Sequence, residues 1–345
     1  MEQISHLKNG DVNLSKNNFW KLKNKLCPKT QSLQPTAKFD ENGQLLSNIT
    51  ELKKLEVRFY KNRLRNRQIK PMYKSLRIFK EYLFGLRVKT SRLRKCPDWS
   101  PDQIMRATRS LGSNKARDNA GLIFEIFKQS CAGSDVVASL TMMMNKMRSE
   151  CLVPDFVRET SITSIFKNKG SRLDLNNFRG VFNVSKVRSI LDKLIYLDHY
   201  DEIDANMSDS NAGARKRRNV RDNLFVTYAV INNSIANDED TELVCYDISL
   251  CFDSQWYEET MNDMWNVGVR DECFALMSKL NESVDIVVKT PVGNSEKFTV
   301  NNVEQQGTCN GPIKCSVQID SIGKNCYKDK SKLYLYKNSV HIPHL

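Results

Sequence analysis

A chain of 345 residues with 40% hydrophobic residues can bury a core for two modest domains or one large one, which excludes a chain disordered by composition. No apolar run reaches the roughly eighteen residues of a membrane span, and the polar stretch Met1–Leu14 lacks a signal-peptide core, so a protein inside the cell, nuclear or cytoplasmic, is expected. Net charge is +13, and fourteen Lys or Arg against the single acid Glu81 between Arg58 and Lys95 account for all of it.

Residues 1–50 read as an extension broken by Pro28, Pro35 and the turn Asp40–Gly43. The basic segment that follows reads as helical to about Lys95, with a break at Pro71. Aromatic residues such as Tyr60, Tyr73 and Tyr82 are interleaved with its cations. Basic charge recruits phosphates and aromatic faces stack on bases, so Arg63, Arg65, Arg67 and Lys70 are candidates for contact with nucleic acid. A solvated basic face on a helical linker is the plain structural alternative.

Ser100 and Pro101 form an N-cap and first helical position, and that helix is expected to reach about Leu111. A loop over 113–121 leads into helical spacing from Leu122 to Glu150, split near Gly133. Ser161–Lys167 is short, β-branched and bounded by a basic turn, which predicts a strand. Val187–His199 and Asp222–Ile235 carry helical apolar spacing, Leu243–Ile248 reads as a buried strand, and Asp285–Val300 as a hairpin around Pro291–Ser295. Grouped helices and grouped strands predict an α+β fold. Ten cysteines include no C-x-x-C pair and only four histidines are present, so reduced, mostly buried thiols are expected rather than a zinc finger.

Three elements carry chemistry. Leu243–Ser254 is an apolar strand delivering Asp247, followed by Phe252 and Asp253; a strand-end carboxylate holds Mg²⁺ through hard oxygen ligands. Val303–Pro312 contains Gln306, Gly307 and the pair Gly311–Pro312, where glycine permits close backbone approach before a helix. The stretch from Ser161 through Lys167 and Lys169 to Arg179 suits a flap that grips a polyphosphate. In isolation each also reads plainly, as a helix cap and surface charge, a hairpin-to-helix loop, and a basic surface hairpin.

Taken in order, these elements resemble the reverse transcriptase domain of non-LTR, LINE-type retrotransposons. Asn114–Ala116 with Gly121–Leu122 resembles that family's "NKA…DG" segment, and Lys167 with Asn177–Val181 its lysine-ended strand and N-[YF]-R-[PG]-[IV] segment. Asn211–Arg215 is similar to the Q-x-G-F-R element, with Asn211 in place of Gln and Ala214 in place of Phe. Asp247–Asp253 resembles D-x-x-x-A-F-D, and Gln306–Pro312 resembles Q-G-x-x-x-[SG]-P.

The resemblance covers roughly residues 95–345. It implies right-hand polymerase fingers and a partial palm, with a basic helical extension: 1–95 the extension, 96–235 the fingers and start of the palm, 236–345 the partial palm. It further implies RNA-directed DNA polymerase activity on an RNA template and DNA primer with dNTP and Mg²⁺, and no membrane partner.

By the same resemblance Asp247 and the carbonyl of Ile248 hold metal, and Phe252 is a steric gate against ribonucleotides. Gln306 and Gly307 line the nucleotide pocket, while Lys167, Lys169, Arg179 and Arg215 hold the triphosphate. The family's next motif, x-D-D, has no match before Leu345, so this chain alone is expected to be inactive. A non-catalytic nucleic-acid-binding remnant is the alternative reading.

Overall fold

The structure, a computed structural model, describes residues 37–64, 73–130, 133–243, 248, 252, 255–301 and 303–328, and all of these belong to one compact unit. A two-residue hairpin, β1 (Lys38–Phe39) and β2 (Leu45–Leu46), precedes α1 (Ile49–Leu64) and α2 (Lys74–Ser91). Next come α3 (Pro101–Ser110), α4 (Phe124–Lys128), α5 (Asp135–Glu150) and α6 (Asp155–Arg158). The flap is β3 (Thr160–Phe166) and β4 (Phe178–Val184), followed by α7 (Lys186–Asn206) and α8 (Val220–Ala236). Then α9 (Tyr257–Asn266) and α10 (Glu272–Asn281) lead to β5 (Val284–Thr290), β6 (Gly293–Asn294), β7 (Phe298–Val300) and α11 (Gly311–Lys328).

Local sequence explains several boundaries. Ser100 accepts from the backbone N–H of Gln103, whose side chain returns a bond to the N–H of Ser100, so a capping box starts α3 with Pro101 at its first position. Ser134 caps α5, which splits the 122–150 region at the expected place. Cys151 ends α5 in the left-handed conformation at φ 52°, with its N–H on the carbonyls of Arg148 and Met147. The strand expected at 161–167 is found one residue earlier, and the hairpin expected over 285–300 is built from β5 to β7. Pro71 and the strand expected at 243–248 lie outside the described residues, except for Leu243 and Ile248.

The larger sheet runs β4-β3-β5-β6, with β7 also on β5; β3 and β5 are parallel and the other pairs antiparallel. One face is apolar: Ile162, Phe182, Val184, Ile286 and Val288 pack against Tyr60 and Leu64 of α1. Gly180 makes this possible. A Cβ there would meet the Tyr60 ring at 2.6 Å, and the Tyr60 hydroxyl lies 2.7 Å from Ser164 Oγ. Residues 57–64 of the segment read as an N-terminal extension therefore pack into the sheet's own core. Lys38 Nζ and Phe39 N also donate to the carbonyls of Arg172 and Leu173, bracing the flap loop.

A second core is wholly helical and includes Trp99, Ile104, Met144, Ile190, Leu191 and Phe274. Burying each such side chain stabilises the fold by about 1.5–3 kcal/mol. Mixed helix and sheet agree with the α+β expectation.

The basic helix α2 is docked by its own cations. Lys80 pairs with Glu259 of α9 at 2.7 Å, and Arg87 donates to Asn262 and Asn266. Beneath them Asp263 is buried, and burial followed by the charge of Glu259 pushes its carboxyl up to about 6. A carboxyl raised in the folded state contributes stability below its unfolded value near 4, and that contribution is lost as pH rises through about 6. Asp263→Asn should therefore leave Tm unchanged at pH 3. At pH 8 it should raise stability by on the order of 2 kcal/mol, as read by thermal denaturation. Equal Tm values for variant and parent at pH 8 would show that Asp263 ionises freely.

Candidate functional site

The alternation of β4 sorts its residues by face. Phe178, Gly180 and Phe182 turn toward α1, so Arg179, Val181 and Asn183 turn to the other side, opposite Ile165, Thr163 and Ser161. Lys289 of β5 stands beside Thr163 on that same side. Arg179 is exposed there, and Lys169 is exposed in the turn beyond β3. Lys167 continues the ladder, its N–H on Asn177 O and its Nζ on Asn176 O at 2.8 Å. The turn is compact because Asn168 and Gly170 have positive φ and the Asn177 amide fills the space beside Gly170.

The loop over 114–122 closes one end of this face through Asp118, a buried residue that the sequence reading passed over. Its Oδ1 accepts from Leu122 N at 2.8 Å and its Oδ2 from Lys186 N at 2.8 Å, so it caps α7 from a distant segment. Asn183 Nδ2 donates to Arg117 O at 2.7 Å. Lys186, also unforeseen, is buried with its Nζ 3.2 Å from Asn183 Oδ1 and 5.0 Å from the Phe124 ring centroid. Burial lowers its pKa, Asp118 opposes that shift, and the charge of Lys289 reinforces it. Strand parity around Thr163 and Asn183 was the signal that could have brought Lys289 and Lys186 to this face.

Gln306 and Gly307 lie on the outer edge of β4. Phe182 N donates to Gln306 O at 2.9 Å, and Gly307 has φ 123° with its Cα against the Phe182 carbonyl, where a Cβ would come within 2.6 Å. Gln306 is half-buried and Gly307 exposed, while Gln305 is fully buried with neither amide atom hydrogen-bonded. Four residues beyond Gly307, a Cβ on Gly311 would meet Thr308 Oγ1 at 3.0 Å and the Phe252 ring at 3.6 Å. Phe252 thus touches the start of α11. Asn211 Nδ2 donates to Ser316 O of α11 at 2.8 Å, and the Ser316 hydroxyl lies 2.6 Å from Gly213 O.

Arg215 takes a different part from the one expected. It is buried, with Nε on Asp204 Oδ1, Nη1 on the carbonyls of Ser208 and Asn211, and Nη2 on Asp204 O. These bonds hold the Asp204 carboxyl below its usual range. Arg215 therefore shapes the 208–215 loop, with four of its five N–H groups on acceptors of this same region. Asp247 and Asp253 lie outside the described residues, as do Arg65, Arg67 and Lys70; Ile248 is exposed. Arg63 lies in α1 with its guanidinium 5.7 Å from the Phe59 ring.

A separate groove of about 490 Å³ runs between α1 and the turn after β6. Lys53, Lys54, Arg58 and Lys61 line it against the single acid Glu296. Among the described residues no helix is long and apolar enough to cross a membrane.

Gly307→Ala should cost about 2–3 kcal/mol in urea denaturation, because it combines a strained φ with a backbone collision. Gly43→Ala, at φ 80° in open space, should cost only about 1 kcal/mol. Equal costs would mean that the contact with Phe182 is unimportant. No protein-family model matches this chain, and no curated protein matches it.

Proposed function

We propose that this chain carries the fingers and the first part of the palm of a reverse transcriptase of the non-LTR type, and that the basic face of β3–β5 receives a nucleoside triphosphate. In this reading Arg179, Lys186 and Lys289 meet the phosphates, with Lys169 at the rim. Gln306 and Gly307 border the pocket from the edge of β4, and Phe252 lies toward the sugar. Asp247 would hold Mg²⁺, which would supply the metal chemistry of nucleotidyl transfer.

One observation carries the reading. Segments far apart in the chain that resemble successive polymerase motifs meet one another: the flap holds Gln306–Gly307, α11 holds Asn211–Gly213, and Phe252 abuts Gly311. The plain alternatives, a helix cap and surface charge, a hairpin-to-helix loop and a basic surface hairpin, do not require these contacts.

The test is dNTP affinity with Mg²⁺, measured by calorimetry on the purified chain. Arg179→Ala and Lys289→Ala should each weaken binding about tenfold, roughly 1.4 kcal/mol. Arg215→Ala should lower Tm while sparing affinity in the protein that remains folded. Unchanged affinity in both of the first two variants would remove the phosphate role. In a chimera supplying an x-D-D hairpin and thumb, Asp247→Ala should abolish primer extension. In that same chimera Phe252→Ala should relax discrimination against ribonucleotides.

The basic groove favours a second reading, nucleic-acid binding without catalysis. Anisotropy titrations with single-stranded RNA should give a steep salt dependence. Replacing Lys53, Lys54, Arg58 and Lys61 together by Ala should make the log–log slope shallower by about 3, at roughly 0.7 per phosphate contact. A flat slope in the unmodified chain would exclude both readings.

A further inference from the structure

Two cysteines far apart in sequence meet in the fold. Cys96 lies in the segment after α2, half-buried, and Cys273 in the first turn of α10, fully buried. The two thiol sulfurs and a carboxylate oxygen of Asp271 all lie within 4.8 Å of one another. Asp271 is fixed from below as the N-cap of α10, its Oδ1 accepting from Cys273 N at 2.9 Å. Its other oxygen lies 2.8 Å from Nε2 of His199 on α7. The ring of His199 is fixed in turn: Nδ1 lies 3.0 Å from Ile195 O, and since a carbonyl only accepts, Nδ1 carries the hydrogen. Burial opposes protonation of the ring, but the bond to Asp271 outweighs it and raises the imidazole to about 8, so Nε2–H donates to Asp271 and orients its carboxylate.

We infer that Cys96, Cys273 and Asp271 form a binding site for a thiophilic divalent cation, zinc in the first instance, that ties the segment after α2 to α10, with His199 of α7 orienting Asp271 from behind. Two sulfurs and a carboxylate oxygen supply three donors of a tetrahedral zinc site, with the fourth position open to water. Zn–S bonds near 2.3 Å put tetrahedral sulfurs about 3.8 Å apart, so the observed cluster closes on an ion with side-chain shifts under about 1 Å.

Two thiolates and a carboxylate around Zn²⁺ leave one negative charge. The bond with Cys96 and burial raise the Cys273 thiol, with Arg148 opposing, so a bound cation must displace its proton. Arg148 is itself positioned by Glu272, whose Oε1 lies 3.0 Å from its Nε, and by the Trp99 ring at 4.2 Å. Nearby, Cys96 N donates to Glu272, which also receives Lys95 at 3.1 Å. The proposal is independent of the polymerase reading, which uses none of these residues.

The experiment is elemental analysis of the full chain purified without chelator, paired with cobalt substitution. One zinc per chain is expected, and Co²⁺ should give thiolate-to-cobalt charge-transfer absorption in the near ultraviolet. Cys96→Ser and Cys273→Ser should each abolish that absorption and the zinc, whereas Cys151→Ser, a half-buried cysteine at the end of α5, should leave both. Asp271→Asn preserves the N-cap chemistry, so it should remain folded while weakening zinc at least tenfold. Removing zinc with a chelator should lower Tm of the parent and leave the Cys273→Ser protein unmoved. Absence of stoichiometric zinc, a cobalt spectrum without thiolate bands, or zinc retained by Asp271→Asn at full affinity would overturn the proposal. A Cys96–Cys273 disulfide found by mass spectrometry in freshly isolated protein would overturn it as well.

Discussion

Four buried charges hold the helical part of this fold and the Gln306–Gly307 loop in one arrangement. Arg188 and Asp192 face each other one turn apart on α7 at 3.6 Å, and Lys314 of α11 meets Glu304 at 3.0 Å. All four side chains are at most 5% exposed, and the charges sum to zero. The network reaches outward from there. Arg188 donates to Leu280 O and Asn281 Oδ1 of α10, and Asn310 Nδ2 lies 3.4 Å from Asp192 Oδ1. Burial raises the Asp192 carboxyl, Arg188 and Lys314 lower it, and Glu304 adds to the rise, so each charge depends on the other three. Its bonding is incomplete: Arg188 Nε, Asp192 Oδ2 and Glu304 Oε1 have no hydrogen-bond partner. Such a network adds little net stability, because desolvating the ions offsets their attraction, but removing one member strands a buried charge at about 3–5 kcal/mol. What it supplies here is register. Glu304 can meet Lys314 only when the 303–310 loop lies where Gln306 also reaches Phe182, so network and flap fix the same loop from opposite ends.

The sheet then divides the labour between its faces. Tyr60 over Gly180 fills one side so fully that the chain through α1 is inseparable from the flap. The other side is left to Arg179, Lys289 and Asn183, and Asp118 brings the 114–122 loop to its end by capping α7. A single carboxylate therefore joins a loop, a strand end and a helix. The same device recurs at Arg215, whose guanidinium gathers the carbonyls of a loop that would otherwise leave them unpaired on a buried surface.

Helix ends were the most legible part of this sequence, because their cause is local: Ser100 with Gln103, and Ser134 with Val137, carry their own bonds. The strand β4 was harder. Its alternation is interrupted at Gly180, and the side chain that completes the apolar face there, Tyr60, comes from another element. Charge was read correctly in amount and incompletely in use. Lys80 and Arg87 answer groups on α9 that lie far away in sequence, so a local count of cations overstates what faces solvent. For the same reason Arg215 resembled a ligand-binding residue while its acceptors, Asp204 and Ser208, are internal. The Cys96–Cys273 cluster was invisible to spacing rules, since those rules see only ligands that are neighbours along the chain.

The electrostatics of the flap face follow from this division. Lys186 is buried with only an amide oxygen at its Nζ, and the two groups that act on it most after burial are Asp118, already engaged with two backbone N–H groups, and the like charge of Lys289. Its protonated form is accordingly disfavoured in the folded chain. An anion arriving between Lys186, Lys289 and Arg179 reverses every one of these unfavourable terms. It replaces lost hydration, screens one lysine from the other, and favours the protonated ammonium. A fold that merely needed a stable sheet would have an apolar side chain at position 186, where the aliphatic stem already packs on Phe124. Retaining an ammonium in that place costs stability in the free protein and would lower the energy of a phosphate-bound one. That difference between two states, rather than the count of basic residues, is the physical ground for the proposal that this face binds a polyanion.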